Sequence, residues 1–502
     1  MFSENSKIKS SLIAFLFSLI SYGQFSFPDT AWIYTYGGAG MDEGRDIQYT
    51  SDGGFIIAGT TNFYGSGNTA IYLIKVDSNC THQWSKAIGG IGIEWGFSVK
   101  QTFDKGFVVA GYTNSFGYGG YDMYLVKTDS AGNILWEKTY GGTNWDFAYC
   151  VQQTSDSGFV LCGSTFSFGN GNEDSYIVKT NKNGDTLWTR TTGGDSTDIA
   201  YSIIIYNDST YLFTGETNSF GKGSSDVYFG TINKQGTFST HTFGTTKSDK
   251  GYCIEKTFDN NVVIFGETDS IPAPTITGKN ELLLKLNAQG MLQWTQILGS
   301  AGEDIGRAVK EKTNGDLLTC GSINPSGMGG SGLHIQMLNS GGWWKSGPAF
   351  GGSGDEKGYA LIITPKKEVA FIGSTTSYGQ GMQDVYLIKM KSDSIVMDYS
   401  LVINKFKDTT LSPLGIQEHI SNSFVQIYPN PFHESAILQI TNPQITDYEL
   451  KIYDLYGREV MTDFIRNADK FIIYKKNLSS GLYFFTVSYE NSVLSIGKFI
   501  TY

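Results

Sequence analysis

Charge is scarce in this chain, and positive charge is scarcer. Asp, Glu, Lys and Arg make up 17% of its 502 residues, and 37 Lys and Arg face 48 Asp and Glu, a formal net charge of −11. Phosphate backbones and anionic membranes are held by clustered Lys and Arg, so this balance argues against nucleic acid and against an anionic lipid surface as partners. Histidine is sparse as well. Residues 25–397 hold only His82, His241 and His334, without the close spacing of metal-ligand motifs. The same stretch holds only Arg45, Arg190 and Arg307, few for a sialidase-like site that needs three arginines at one mouth. The five cysteines, Cys80, Cys150, Cys162, Cys253 and Cys320, are odd in number and form no C-x-x-C. Beyond the N-terminus no stretch reaches the roughly 18 consecutive apolar residues of a membrane span.

What is abundant is glycine, 62 residues, and aromatic side chains, 14% of the chain, a composition suited to short strands joined by tight turns. Residues 1–24 read as a secretory signal: Lys7 and Lys9 precede an apolar stretch from Leu12 to Ile20, and small residues lead to a cut at Gly23 and Gln24.

One pattern then recurs seven times as far as about Lys391. Trp32, Trp84, Trp136 and Trp188 stand 52 residues apart, Trp294 continues the column, and Ser239 and Trp344 take the same place in two irregular copies. A glycine pair follows, as in Gly37-Gly38 and Gly141-Gly142, and then a carboxylate: Asp42, Glu94, Asp146, Asp198, Asp249, Asp304 and Glu356. A period of this size signals blades or solenoid turns. In the third copy the pattern predicts strands over 134–140, 147–154, 158–164 and 175–180, with hairpin turns such as Ser155-Asp156-Ser157-Gly158 between them. Four antiparallel strands per repeat make a propeller blade. By hairpin order each Trp strand is the last strand of the preceding blade. No Trp strand follows the seventh set, so Trp32–Tyr36 is free to complete the seventh blade. The expected fold is all-β: a seven-bladed β-propeller over 25–397, closed by the N-terminal strand, which leaves no open sheet edge. The repeat resembles kelch-like propellers, with single glycines, Gly59, Gly111, Gly163, Gly215, Gly266, Gly321 and Gly373, where those carry pairs. Its Asp129–Trp136 hairpin resembles the docking motif of quinoprotein-like propellers, which have eight blades. Both likenesses imply architecture and little about activity.

A polar linker is expected over 398–424, and residues 425–502 are of another kind. Ile427-Tyr428-Pro429-Asn430-Pro431-Phe432, Leu450-Lys451-Ile452-Tyr453-Asp454-Leu455-Tyr456-Gly457-Arg458, Leu478-Ser479-Ser480-Gly481-Leu482-Tyr483 and Lys498 resemble the type A sorting domain of the type IX secretion system of Bacteroidetes. That resemblance implies a small antiparallel β-sandwich read by the secretion machinery and cleaved, the cargo being released or anchored on the outer-membrane surface. The residues agree: Pro429 and Pro431 hold an extended segment, and Tyr456-Gly457 and Ser480-Gly481 are turns.

For function, the seven carboxylates have two readings. Ringed around one mouth they would hold a cation, such as a structural Ca²⁺, or funnel a basic ligand. Alternatively each fixes its own turn by accepting a backbone N–H, and repetition in every copy favours this reading, since chemistry needs one special residue in one place. Departures from the repeat are better candidates. Trp95 and Trp145 interrupt the carboxylate loops of copies two and three, and Pro272, Pro274 and Met328 replace the Asn-Ser-Phe-Gly loop of the others, whose aromatics are Tyr64, Phe116, Phe168, Phe220 and Tyr378. Cys150 and Cys253 share one column and Cys162 and Cys320 another, as small buried hydrophobes do, a Cys150–Cys162 disulfide being the alternative. No catalytic set appears and no cofactor is implied. The expectation is a monomeric secreted or surface-displayed module binding a glycan or protein, against the alternative of an exported polysaccharide hydrolase or lyase working through mouth carboxylates.

Overall fold

Within each repeat the burial of a strand follows from its composition. Phe159–Thr165 and Asp174–Thr180 are buried along their whole length, their apolar residues flanked by Asp, Ser, Lys and Thr that are buried with them. Asp146–Gln153 is buried at intervals, and Thr186–Thr192, with Trp188 and Arg190, is mostly accessible. These four strands form one antiparallel sheet in chain order, so the Trp strand of each copy is the fourth strand of the sheet before it. The computed structural model describes residues 32–65, 67–270, 278–300, 302–325, 330–391, 406–410, 425–428, 433–440, 447–453, 459–466, 470–475, 478–489 and 492–501. The chain divides into two units, Met1–Leu411 and Ser412–Tyr502.

In the first unit the first sheet runs Asp42–Tyr49, Phe55–Thr61, Ala70–Val76, His82–Ile88, and its successors open at Glu94, Asp146, Asp198, Asp249 and Gly302. The last sheet runs Glu356–Ile363, Glu368–Thr375, Asp384–Lys391 and then returns to Trp32–Gly37, which pairs antiparallel with Asp384–Lys391. This serial packing of four-stranded antiparallel sheets is a β-propeller fold. Apolar side chains fill the space between neighbours. Ile56, Ala58, Ile71 and Leu73 of the first sheet meet Val99, Phe107, Val109 and Tyr124 of the second, and Ala370, Ile372, Val385 and Leu387 of the last meet Ile47, Phe55, Ile57 and Tyr72 of the first. Two details depart from the sequence reading. Five residues of the expected linker, Phe406–Thr410, form a strand parallel to Trp32–Gly37, and the fourth strand of the sixth sheet is split into Trp344–Ser346 and Ala349–Phe350, on either side of Pro348, which cannot donate to the ladder.

The hairpin turns explain the link between Trp and Asp-x-x-Gly. Asp129 accepts the N–H groups of Ala131 and Asn133, Gly132 adopts φ +77°, and the Trp84 ring of the preceding sheet lies where a Gly132 side chain would be. Trp136 covers Gly184 and Trp294 covers Gly342 in the same way, so the motif docks one sheet on the turn of the next.

The second unit consists of a three-stranded sheet of Val425–Tyr428, Ser435–Ile440 and Lys470–Tyr474, and a four-stranded sheet of Asp447–Tyr453, Glu459–Arg466, Gly481–Tyr489 and Ser492–Thr501. Ala436, Leu438 and Ile473 of the first share one core with Leu450, Ile452, Tyr483, Phe485, Val487 and Phe499 of the second.

A β-bulge in the first strand of every sheet sets up the rest of the first unit. The register slips between Gly44 and Asp46, Gly96 and Ser98, Ala148 and Cys150, Ala200 and Ser202, Gly251 and Cys253, Gly306 and Ala308, and Gly358 and Ala360. Beside each bulge the second strand comes so close that only glycine fits: a Cβ on Gly215 would lie 1.7 Å from the Ile199 carbonyl oxygen. This is the single-glycine column of the repeat. Gly215→Ala is therefore expected to destabilise the protein by about 1–3 kcal/mol or more, read as a lowered thermal midpoint. An unchanged midpoint would show that the bulge yields freely.

Candidate functional site

The seven column carboxylates are at most 1% exposed. Each caps the preceding turn. Asp146 Oδ2 accepts the Gly142 N–H at 2.8 Å and the Ser167 hydroxyl at 2.7 Å, while Oδ1 accepts the Thr165 hydroxyl. Gly38, Gly90, Gly194, Thr245, Ser300 and Gly352 donate their N–H groups to Asp42, Glu94, Asp198, Asp249, Asp304 and Glu356 in the same way. A second carboxylate column escaped the sequence reading. Asp122, Asp174, Asp226 and Asp384 open the third strands and accept loop N–H groups, such as Tyr118 and Gly119 on Asp122. Among the described residues no group of three or more His, Cys, Asp or Glu is arranged to hold a metal ion.

The bulges aim one side chain per sheet toward its counterparts: Arg45, Phe97, Tyr149, Tyr201, Tyr252, Arg307 and Tyr359. Neighbours touch in series. Phe97 meets Tyr149 at 5.3 Å between centroids, Tyr149 meets Tyr201 at 5.5 Å and Tyr201 meets Tyr252 at 5.1 Å. The Arg307 guanidinium lies 4.0 Å from the Tyr252 ring, and that of Arg45 lies 4.1 Å from Tyr359 and 5.4 Å from Phe97. Two of the three arginines are thus stacked in this ring. The third, Arg190, bonds the Gly236 and Gln235 carbonyls of the next sheet's turn.

Beside the ring, on the second and third sheets, aromatic side chains merge into one surface. Trp95 stacks on Tyr112 at 6.4 Å and 20° between planes, Tyr112 meets Phe147 at 4.9 Å and Tyr121 at 5.3 Å, and Trp145 meets Tyr121 at 6.0 Å and Phe166 at 5.9 Å. Trp145 is 51% exposed and the others are partly so. Trp95 and Trp145, separate departures from the repeat in the sequence, stand on adjacent sheets of one patch. Phe147 and Phe166 had a signal too, for Phe166 stands where other copies have Asn62, Asn114 and Asn218, and Phe147 and Trp95 where they have Glu43, Ile199 and Lys250.

The loop aromatics do otherwise: Tyr64, Phe116, Phe168, Phe220 and Tyr378 rest on Tyr72, Tyr124, Tyr176, Tyr228 and Tyr386 of their own sheets. Cys150 and Cys162 face each other across paired strands as free thiols. Pro272, Pro274, Met328, Gly23, Gln24, Pro429, Asn430, Pro431 and Gly457 lie outside the described residues. Tyr428, Gly481 and Lys498 are on strands of the second unit.

Several solved structures are similar to this chain at low identity. Sqt1 from Chaetomium thermophilum shares 10% identity over 73% of this chain and 99% of its own, with a TM-score of 0.39. The propeller domain of the Trilobed protease from Pyrococcus furiosus shares 9% over 76% and 100%, with 0.41. The Pan2 WD40 domain from Neurospora crassa shares 9% over 70% and 89%, with 0.38. The propeller assignment rests on the strand pairings above. No curated protein matches the chain. Residues 426–501 match the family described as the secretion system C-terminal sorting domain. The chain thus joins a β-propeller to a type IX sorting tail, which marks it for export through that system, secreted or at the cell surface.

Two sets of carboxylates, one buried and one half-exposed, pull stability in opposite directions with pH. Desolvation raises the pKa values of Asp42 and Asp304, the bonds from Gly38 and Ser300 opposing it, and those of Asp122 and Asp174, where the charges of Asp146 and Asp198 add to it. Their stabilising contribution is complete below the unfolded carboxylate pKa and is lost as pH rises through the folded values. In the hairpins burial opposes ionisation, but the Thr50 hydroxyl, the Lys75 ammonium and the Gly54 N–H outweigh it and hold Asp52 at about 2. Asp104, Asp156 and Asp259 are lowered likewise. Their contribution is present above the unfolded pKa and lost as pH falls through the folded values. The thermal midpoint is expected to peak near the unfolded Asp pKa of about 4 and to fall on both sides. A midpoint rising steadily to pH 8 would contradict this balance. Asp146→Ala, which strands the Gly142 N–H and the Ser167 and Thr165 hydroxyls, should cost about 1–3 kcal/mol in the thermal or denaturant midpoint at neutral pH.

Proposed function

We propose that this protein is an exported binding module: a closed ring of seven blades that presents the aromatic surface of its second and third blades to a ligand and is delivered by its sorting tail. The contiguous aromatic patch carries this reading, because the equivalent positions of the other blades hold aliphatic, polar or charged residues. The column carboxylates, each engaged by the turn it caps, serve the scaffold, as do the loop aromatics. This weighs against the alternative reading of a hydrolase or lyase using those carboxylates. Closure is supported by the Trp32–Gly37 pairing, by the Asp42 N–H bond to the Gln383 carbonyl and by the contact between Arg45 and Tyr359. In this reading residues 1–24 are a signal peptide cut at Gly23 and Gln24, the propeller spans 25–397, and residues 425–502 are read in the periplasm by the secretion machinery.

Removal of residues 32–37 would leave Asp384–Lys391 as an open edge. The shortened protein is expected to aggregate or to melt well below the intact one, and equal melting would refute closure. Deletion of residues 425–502 should leave the protein in the periplasm, as judged by fractionation. Efficient delivery of the truncated form to the surface or medium would overturn the sorting role. Binding itself is tested by probing the full secreted chain on glycan and protein arrays, where no binder at micromolar concentration would count against a binding role.

A further inference from the structure

The ligand class follows from what surrounds the aromatic surface. Three glutamates of other blades, on the first, fourth and fifth sheets, face cations: Glu43 pairs with Arg45 at 2.7 Å, Glu216 with Lys250 at 2.8 Å and Glu267 with Lys279 at 2.9 Å. A strongly charged ligand would have to compete with these pairs. Glu173 differs. It occupies the place in the third blade that Tyr121 occupies in the second, each bridging to the next blade, at Thr197 and Trp145. It accepts one bond, from the Ser164 hydroxyl at 2.7 Å, and Ser164 lies directly across the strand pair from Phe147. No Lys or Arg among the described residues pairs with it, and it is half-buried. Burial raises its pKa, the Ser164 bond opposing and the Glu216 charge adding. The hydroxyls of Tyr112 and Tyr121 and the indole N–H groups of Trp95 and Trp145 likewise make no hydrogen bond within the described protein, so flat ring faces stand beside unused donors and acceptors.

Resting on the binding role proposed above, we infer that the surface formed by Trp95, Tyr112, Tyr121, Trp145 and Phe147, with Glu173 at its edge, binds a neutral polysaccharide. The C–H faces of the sugar rings lie on the aromatic faces, and vicinal hydroxyls bond the Glu173 carboxylate and the tyrosine hydroxyls. A cationic chain would find one unpaired carboxylate among three neutralised ones. An anionic chain would meet that same carboxylate with every Arg and Lys of the three pairs already engaged. A neutral, hydroxyl-rich chain fits both the flat faces and the balanced charge.

The test uses the full secreted chain, with isothermal titration and tryptophan fluorescence against hexaoses of neutral hexoses and pentoses, an oligouronate, a cationic glucosamine oligomer and a protein array. At least one neutral hexaose is expected to bind and to perturb the fluorescence. Trp145→Ala and Trp95→Ala should each weaken it at least tenfold and Glu173→Gln at least fivefold, while Trp343→Ala, an exposed tryptophan of the sixth blade, leaves it unchanged. Matched far-ultraviolet spectra and melting midpoints exclude misfolding of the variants. If only a charged oligomer or a protein binds and Trp145→Ala abolishes it, the ligand class is wrong and the binding role stands. If a neutral hexaose binds regardless of these substitutions, the site is wrong. If nothing binds, both fall.

Discussion

The approach of a glycine in each second strand to a carbonyl of the first is the constraint on which the propeller depends. With Gly215 against Ile199, and its counterparts in the other six sheets, the two strands come closer than any side chain would allow. The first strand answers by bulging, and the bulge turns one residue per sheet away from the inter-sheet core. Everything inward of that point, from Arg45 round to Tyr359, is placed by it. The carboxylate three residues earlier holds the start of the same strand to its turn, so each first strand is pinned at its beginning and kinked just after.

Much of this was legible in the sequence, because a repeated structure repeats its requirements. The tryptophans and their Asp-x-x-Gly turns, the single glycines and the carboxylates each recur where one physical need recurs: Trp84 on Gly132, Gly215 on Ile199, Asp146 on Gly142. The bulge was not legible. A strand read with strict alternation puts Tyr149 and Val151 on one face, whereas the slip after Ala148 separates them, Tyr149 going to the ring and Val151 to the core. The aromatic surface escaped for a related reason. Its members come from two sheets and lie up to 71 residues apart, Trp95 to Phe166, and only pairing brings them together. Phe166 shows what a column-by-column comparison would have revealed, since it displaces the asparagine of its neighbours.

The two units divide the work. The sorting tail is a pair of sheets around Leu438, Leu450 and Phe485 with a core of its own. The cargo is freed to vary wherever its scaffold makes no demand, and the second and third sheets vary most in aromatic content at the carboxylate end. Arg45, bonded to Glu43 and lying over Trp95 and Phe97, joins the ring to that surface.

The aromatic surface is built from strands. Trp95, Tyr112 and Phe147 belong to regular ladders, and Tyr121 and Trp145 are joined by a bridge between sheets. Side chains so held have already surrendered most of their conformational freedom during folding, so a partner arriving at them has little ordering left to impose. The entropy that a loop-built site loses at each encounter is lost here once, when the chain folds. In the binding role proposed for it, affinity at such a surface scales with the number of rings engaged, and encounter needs no rearrangement.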